Sequence, residues 1–338
     1  MSVLLILIIF LCWIDSSRAS VGDRSYVFHS CRTQCVHRMC ELQDRDVASW
    51  DQIHPLILCS LEDTVRWQCD RECAYRCMWK TVEAFQRDNL PVPQFYGKWP
   101  FMRILGIQEP ASVLFSLVNL LTQTIGLYKL CVTCNISLPM WKYWVLQSLF
   151  SMNAWLWSTV FHTVDTPLTE KLDYFGAVAF ILASIVTLQG RVVPNWLWLR
   201  LMCVVVLLTF FVKHVDYMNT RRFDYDYNMR VAVISGLINC AGWLLWSFGW
   251  CNIRQHPHVI YCRLSVLCLL GCITLELCDF APLAWFLDAH ALWHASSWPL
   301  TLLWYNCASY SLSPSLLGHL AEASRYHSFV RIHQAVAF

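Results

Sequence analysis

The sequence predicts an all-α membrane protein: a seven-transmembrane helix bundle preceded by a small, disulfide-rich, helical lumenal N-terminal region. Three observations predict it. Of 338 residues, 57% are hydrophobic and only 14% charged, with 18 Trp, which is too apolar for a soluble domain of this length. Segments close to the ~20 apolar residues that cross a bilayer recur from residue 111 to residue 307. Cysteines crowd the stretch 21–110, directly after an apolar leader. The net charge of +2 gives no electrostatic footprint for nucleic acid, so none is expected as a partner.

Residues 1–20 read as a signal peptide. The apolar run Val3–Ile14 is too short to span and ends in Ser-Ser-Arg-Ala-Ser, small residues that suit cleavage, although a basic start is missing. Cleavage sends residues 21–110 into an oxidising lumen. There, Cys31-x3-Cys35 and Cys69-x3-Cys73-x3-Cys77 place thiols on single faces of short helices, ready to be stapled into a hairpin. Cys40 and Cys59 bring the cysteines of this region to an odd number, so one thiol is left over or pairs elsewhere. A zinc knuckle is the rival reading, and the secreted context favours disulfides. Pro91, Pro93, Pro100, Pro110 and Gly97 exclude a long helix over 89–110, and its aromatics suit a segment at the membrane interface.

Seven apolar segments follow, at roughly 111–130, 142–163, 173–190, 195–213, 231–250, 260–279 and 284–307. With residues 21–110 lumenal, the first segment runs inward and the tail 311–338 is cytosolic. Lys129, Lys142, Arg191, Arg254, Arg263, Arg325 and Arg331 then lie on or beside the cytosolic side, as the positive-inside rule expects. The lumenal loop 214–230 mixes Arg221, Arg222 and Arg230 with Asp216, Asp224 and Asp226, so the charge asymmetry is shallow. The sequon Asn135-Ile-Ser137 faces the cytosol in this orientation and should carry no glycan.

Ionisable residues inside membrane helices are costly, which makes them functional candidates. His290 and His294 sit four residues apart in the last apolar segment, hence one helical turn apart on one face. Ser158 and His162 have the same spacing at the end of the second segment, and Asp173 stands at the mouth of the third, where it could also be that helix's N-cap. The orientation derived above puts all five at lumenal helix ends, although none of them was used to derive it. Three neutral imidazoles suit zinc with an open fourth position, the pattern of a catalytic site. Zinc there would acidify water and polarise a carbonyl. Asp173 could take the water's proton, and the Ser158 hydroxyl could donate to the developing oxyanion. The metal set is therefore His162, His290 and His294, and the catalytic set Ser158 and Asp173. Glu109, Asn119, Glu276 and Asp279 are further polar residues at helix ends or within segments, open to a supporting role or to plain packing.

On these residues the chain resembles the CREST superfamily of membrane hydrolases and receptors, which includes the alkaline ceramidases and the adiponectin and progestin receptors. Within it, Phe161-His-Thr-Val-Asp-Thr-Pro-Leu-Thr-Glu-Lys-Leu-Asp-Tyr-Phe175, the Cys-rich segment and Gln94-Phe-Tyr-Gly-Lys-Trp-Pro100 resemble the Per-like GPI-remodelling phospholipases, the post-GPI-attachment to proteins factor 3 family. The likeness runs from the signal peptide through the last segment and stops near Ser311. It implies a zinc-dependent hydrolase in the Golgi membrane, or the endoplasmic reticulum in some lineages. Its implied substrate is the sn-2 acyl ester in the inositol phospholipid of GPI-anchored proteins, with membrane lipids around it. Lys98, Arg103, Lys171, Arg221 and Arg222 are candidates for the anchor phosphate. Two other readings stay open. One is a ceramidase-like amidase, disfavoured because ceramidases lack the Cys-rich segment. The other is a non-enzymatic seven-span receptor or escort of GPI-anchored cargo.

Overall fold

The computed structural model describes residues 20–41, 67–220, 223–250, 256, 258–277 and 279–312. Residues 1–19 of the proposed signal peptide, Cys59, Arg221, Arg222 and nearly all of the tail lie outside the described residues. Among the described residues the chain is helical, with no strand beyond isolated bridges. In order come α1 (Tyr26–Cys35), α2 (Cys69–Arg87), α3 (Pro110–Thr133), α4 (Pro139–Thr163), α5 (Pro167–Val192), α6 (Leu197–Thr220), α7 (Tyr225–Leu245), α8 (Val259–Leu277) and α9 (Ala289–Ser311). The chain divides into two compact units, one of residues 1–114, 162–165 and 275–292, the other of the remainder.

In the first unit, α1 and α2 are joined by a ladder of disulfides: Cys31–Cys77, Cys35–Cys73 and Cys40–Cys69. On α2 the thiols recur every four residues. On the α1 side the second interval is five, from Cys35 to Cys40, which would swing Cys40 off the face of an ordinary α-helix. The chain adopts a π-helical turn there, Val36–Glu41, whose wider winding absorbs the extra residue. Under the ladder, Phe28, Cys77, Val82 and Phe95 form a small core, flanked by Trp79 and Trp285. The Pro-rich linker is folded rather than slack. Phe95 pairs with Lys98 and Ile104 with Ile107 across two tight turns, with positive φ at Tyr96 and Gly97 and at Leu105 and Gly106. A third turn, Leu283 to Leu287, precedes α9, and Trp285 accepts a hydrogen bond from the Met102 amide at 3.0 Å.

In the second unit, α3, α5, α6 and α7 with its π-helical extension are each long and apolar enough to cross a membrane, and Val259–Leu275 of α8 is apolar but shorter. The chain is thus a multi-pass membrane protein. On α6, Trp198 is 83% exposed and Val205, Val206, Leu208 and Val212 also face outward, an apolar surface that lipid accommodates and water does not. The core is built on Trp144, Trp243 and Trp304, with ring centroids 4.8 to 5.9 Å apart. Gly126 is obligatory: a Cβ there would lie 2.3 Å from the Tyr305 ring.

Two sequence expectations need correction. The last helix begins at Ala289 rather than near 284, because Asp288 caps it by accepting a hydrogen bond from the Ala291 amide at 2.8 Å. The third segment becomes helical before residue 173. Thr166 and Thr169 cap each other and Pro167 opens α5, so Asp173 lies in that helix's second turn and is not its cap.

Candidate metal centre

In the first unit, His162 ends α4 and is almost fully buried. Its Nδ1 lies 2.6 Å from Oε2 of the equally buried Glu109. The Glu109 amide also donates to the His162 carbonyl at 3.0 Å, which locks the start of α3 against the end of α4. The second carboxylate oxygen of Glu109 receives the Lys98 ammonium at 2.9 Å, and Lys98 reaches Asp165 at 2.8 Å. Burial on its own would raise the Glu109 carboxyl; the Lys98 charge, and after it His162, outweigh burial and hold the carboxyl well below the usual range. Burial would likewise lower Lys98, but Glu109 and Asp165 push its ammonium above the ordinary lysine value. His290, in the first turn of α9, lies with its ring centroid 5.2 Å from that of His162.

In the second unit, His294 is buried, with Nδ1 2.9 Å from Ser116 Oγ, and Ser116 Oγ is 3.0 Å from Ser158 Oγ. The Trp155 ring stands edge-on to His294 at 5.3 Å. Asn119 donates to the His294 carbonyl at 2.8 Å, in the same stretch of α9 where Pro299 cannot donate to the carbonyl of Ala295.

His290 and His294 share one face of α9, and His162, His290 and His294 form a group that could hold a metal ion. The donor chemistry fits. His162 and His294 each engage a partner through Nδ1, so Nε2 is the nitrogen each would present to a cation. Cys40, Cys69 and Cys73 also cluster, but all three are spent in disulfides, and the zinc-knuckle reading falls away.

Of the five residues singled out in the sequence, Ser158 meets His294 through Ser116, and His162 meets His290. Asp173 is half-buried on α5. Ser116 was missed altogether. Its signal was available: it lies three residues before Asn119 on α3 and so shares that residue's face. Lys98 and Arg103, offered as contacts for the anchor phosphate, both have partners within the chain. Lys98 is engaged by two carboxylates, while Arg103 is sandwiched between Trp67 and Tyr75, at 3.7 and 4.0 Å, and pairs with Glu72. Lys171 donates to Asn219 at 2.9 Å. Asp279 accepts from Gln94 and Trp99, which makes it an anchor for the linker.

Comparison with known proteins turns this geometry into a lineage. Residues 60–310 match the Per1-like family. The chain belongs to that family. Post-GPI attachment to proteins factor 3 of Drosophila melanogaster is 39% identical over 298 residues, covering 86% of this chain and 88% of the relative. Two proteins named GPI-specific phospholipase A2-like PGAP3 are similarly close. That of Danio rerio is 42% identical over 294 residues, 85% of this chain and 89% of its own; that of Homo sapiens is 41% identical over 292 residues, 85% and 88%. No solved structure matches the chain.

Proposed function

We propose that the chain is a zinc-dependent membrane hydrolase that removes the sn-2 acyl chain from the inositol phospholipid of GPI-anchored proteins. The observation that carries this reading is the grouping of three imidazoles with Ser158 in a chain whose relatives are named as GPI-specific phospholipase A2-like proteins. His162, His290 and His294 would hold the metal. Zinc bound there would supply Lewis acidity toward an ester carbonyl and acidify a water molecule.

The rest of the chemistry falls to the protein. With Nε2 of His294 turned to the metal, Nδ1 carries the proton and donates to Ser116 Oγ. Ser116, having accepted from His294, turns its own hydrogen toward Ser158. Ser158 then has its hydroxyl hydrogen to give, and gives it to the carbonyl oxygen as negative charge develops there. Asp173 accepts the proton of the attacking water. The water oxygen bonds to the carbonyl carbon, the acyl C–O bond breaks, and Asp173 returns its proton to the departing sn-2 oxygen, so the products are a fatty acid and an anchor with a free sn-2 hydroxyl.

In this reading seven helices, α3 to α9, cross the membrane. The stapled hairpin lies in the lumen and the C-terminus in the cytosol, and the enzyme resides in the Golgi membrane, where GPI-anchored proteins occupy the lumenal leaflet. A glycan on Asn135 would reverse that orientation. Acyl-chain analysis of GPI anchors from cells lacking the protein tests the activity. Retention of the unsaturated sn-2 chain is expected, and unchanged anchors would refute the proposal.

A further inference from the structure

The ion cluster beside His162 is costly to bury. Glu109 is 5% exposed, and both its oxygens are engaged: Oε2 with His162 Nδ1 at 2.6 Å, Oε1 with Lys98 at 2.9 Å. Lys98 is fixed in turn by Asp165 at 2.8 Å. Asp165 is not loose either. Its amide donates to Gln108 Oε1 at 3.1 Å, and its carbonyl accepts from Arg71 on the stapled helix α2. A continuous run of polar contacts therefore leads from the disulfide hairpin to one imidazole of the candidate metal set, all inside one compact unit.

We infer that Glu109 is the positioning residue for His162, and that Lys98 holds the Glu109 carboxylate in place so that His162 would present Nε2 to the metal. The inference rests on the zinc reading above and adds the protein's own device for preparing one ligand. A carboxylate on Nδ1 fixes the tautomer, sets the ring's rotation and raises the basicity of the opposite nitrogen. Lys98 bridges Glu109 and Asp165 and so fixes where the Glu109 carboxylate lies. It also explains why the linker is folded so tightly: the turn pairing Phe95 with Lys98 sets where the ammonium sits. The stapled hairpin thereby acts as a brace for His162.

The test is a cobalt(II) and zinc(II) titration of the purified full-length protein in detergent, with the disulfides intact. Glu109→Gln preserves shape and removes the charge. It should weaken metal affinity by ~10- to 100-fold, the usual cost of losing such a partner, and shift the cobalt(II) visible bands. Lys98→Met should weaken affinity too, and Lys98→Arg should restore it. Thermal unfolding of the metal-free variants reports whether they fold. Wild-type protein that binds no metal would sink the zinc reading itself. Wild-type protein that binds metal, with Glu109→Gln binding it equally well and with the same cobalt spectrum, would overturn this inference alone. A folded Lys98→Arg variant that binds as weakly as Lys98→Met would overturn the part assigned to Lys98.

Discussion

His162 and His294 are set up by opposite means. His162 leans on an ionised carboxylate held inside a cluster of charges. His294 leans on a neutral serine that leads to a second serine. A charged partner strengthens the imidazole as a ligand, whereas a neutral hydroxyl chain mainly fixes where hydrogens point. Under the proposed function, the first arrangement suits gripping a cation and the second suits aiming a hydrogen-bond donor at substrate.

Several variants would break or sharpen that contrast. His294→Ala should be the most severe, losing metal and turnover together, as read by metal content and hydrolysis of a GPI lipid. Ser158→Ala should retain metal and lose ~10²- to 10³-fold in kcat, the usual cost of one donor to an oxyanion; lost metal would move Ser158 from chemistry to structure. Ser116→Ala removes a neutral hydrogen bond worth ~0.5–1.5 kcal/mol. It should therefore weaken metal binding less than Glu109→Gln does, while lowering kcat because Ser158 loses the group that orients it. A larger loss of metal affinity for Ser116→Ala than for Glu109→Gln would invert the comparison.

The smallest effect concerns pH and stability. Glu109 is lowered in the fold, so its contribution is complete above the ordinary carboxylate value of ~4.3 and fades as pH falls below it. Lys98 is raised, so its contribution is complete below ~10.4 and is lost at more alkaline pH. Thermal unfolding should therefore show no contribution from this pair to any pH dependence between ~5 and ~10. A Lys98→Met comparison that altered the slope inside that window would contradict the assignment.

Much of this was legible in the sequence because helical spacing is strict. His290 and His294, Ser158 and His162, and the cysteines at intervals of four all announce a shared face. What escaped was set by local exceptions or by partners distant in the chain. The interval of five before Cys40 works only through a π-helical turn, which no periodicity reveals. Thr166-Pro167 was a readable helix start, but it lies ahead of the apolar run that set the third segment at 173–190. Glu109 and Lys98 lie outside the apolar segments, and nothing local says that they meet His162. The polarity of the site also hides its own helices. Gln147, Ser148, Ser151, Ser158 and His162 in α4, and His290 and His294 in α9, make these helices less apolar than the four that stand out as spans.

The most direct test is mass spectrometry of the inositol phospholipid on GPI-anchored proteins, in cells lacking this protein and resupplied with either the wild type or His294→Ala. Restored loss of the sn-2 unsaturated chain with the wild type, and none with His294→Ala at equal expression, is the predicted result. Normal remodelling by His294→Ala would contradict the account.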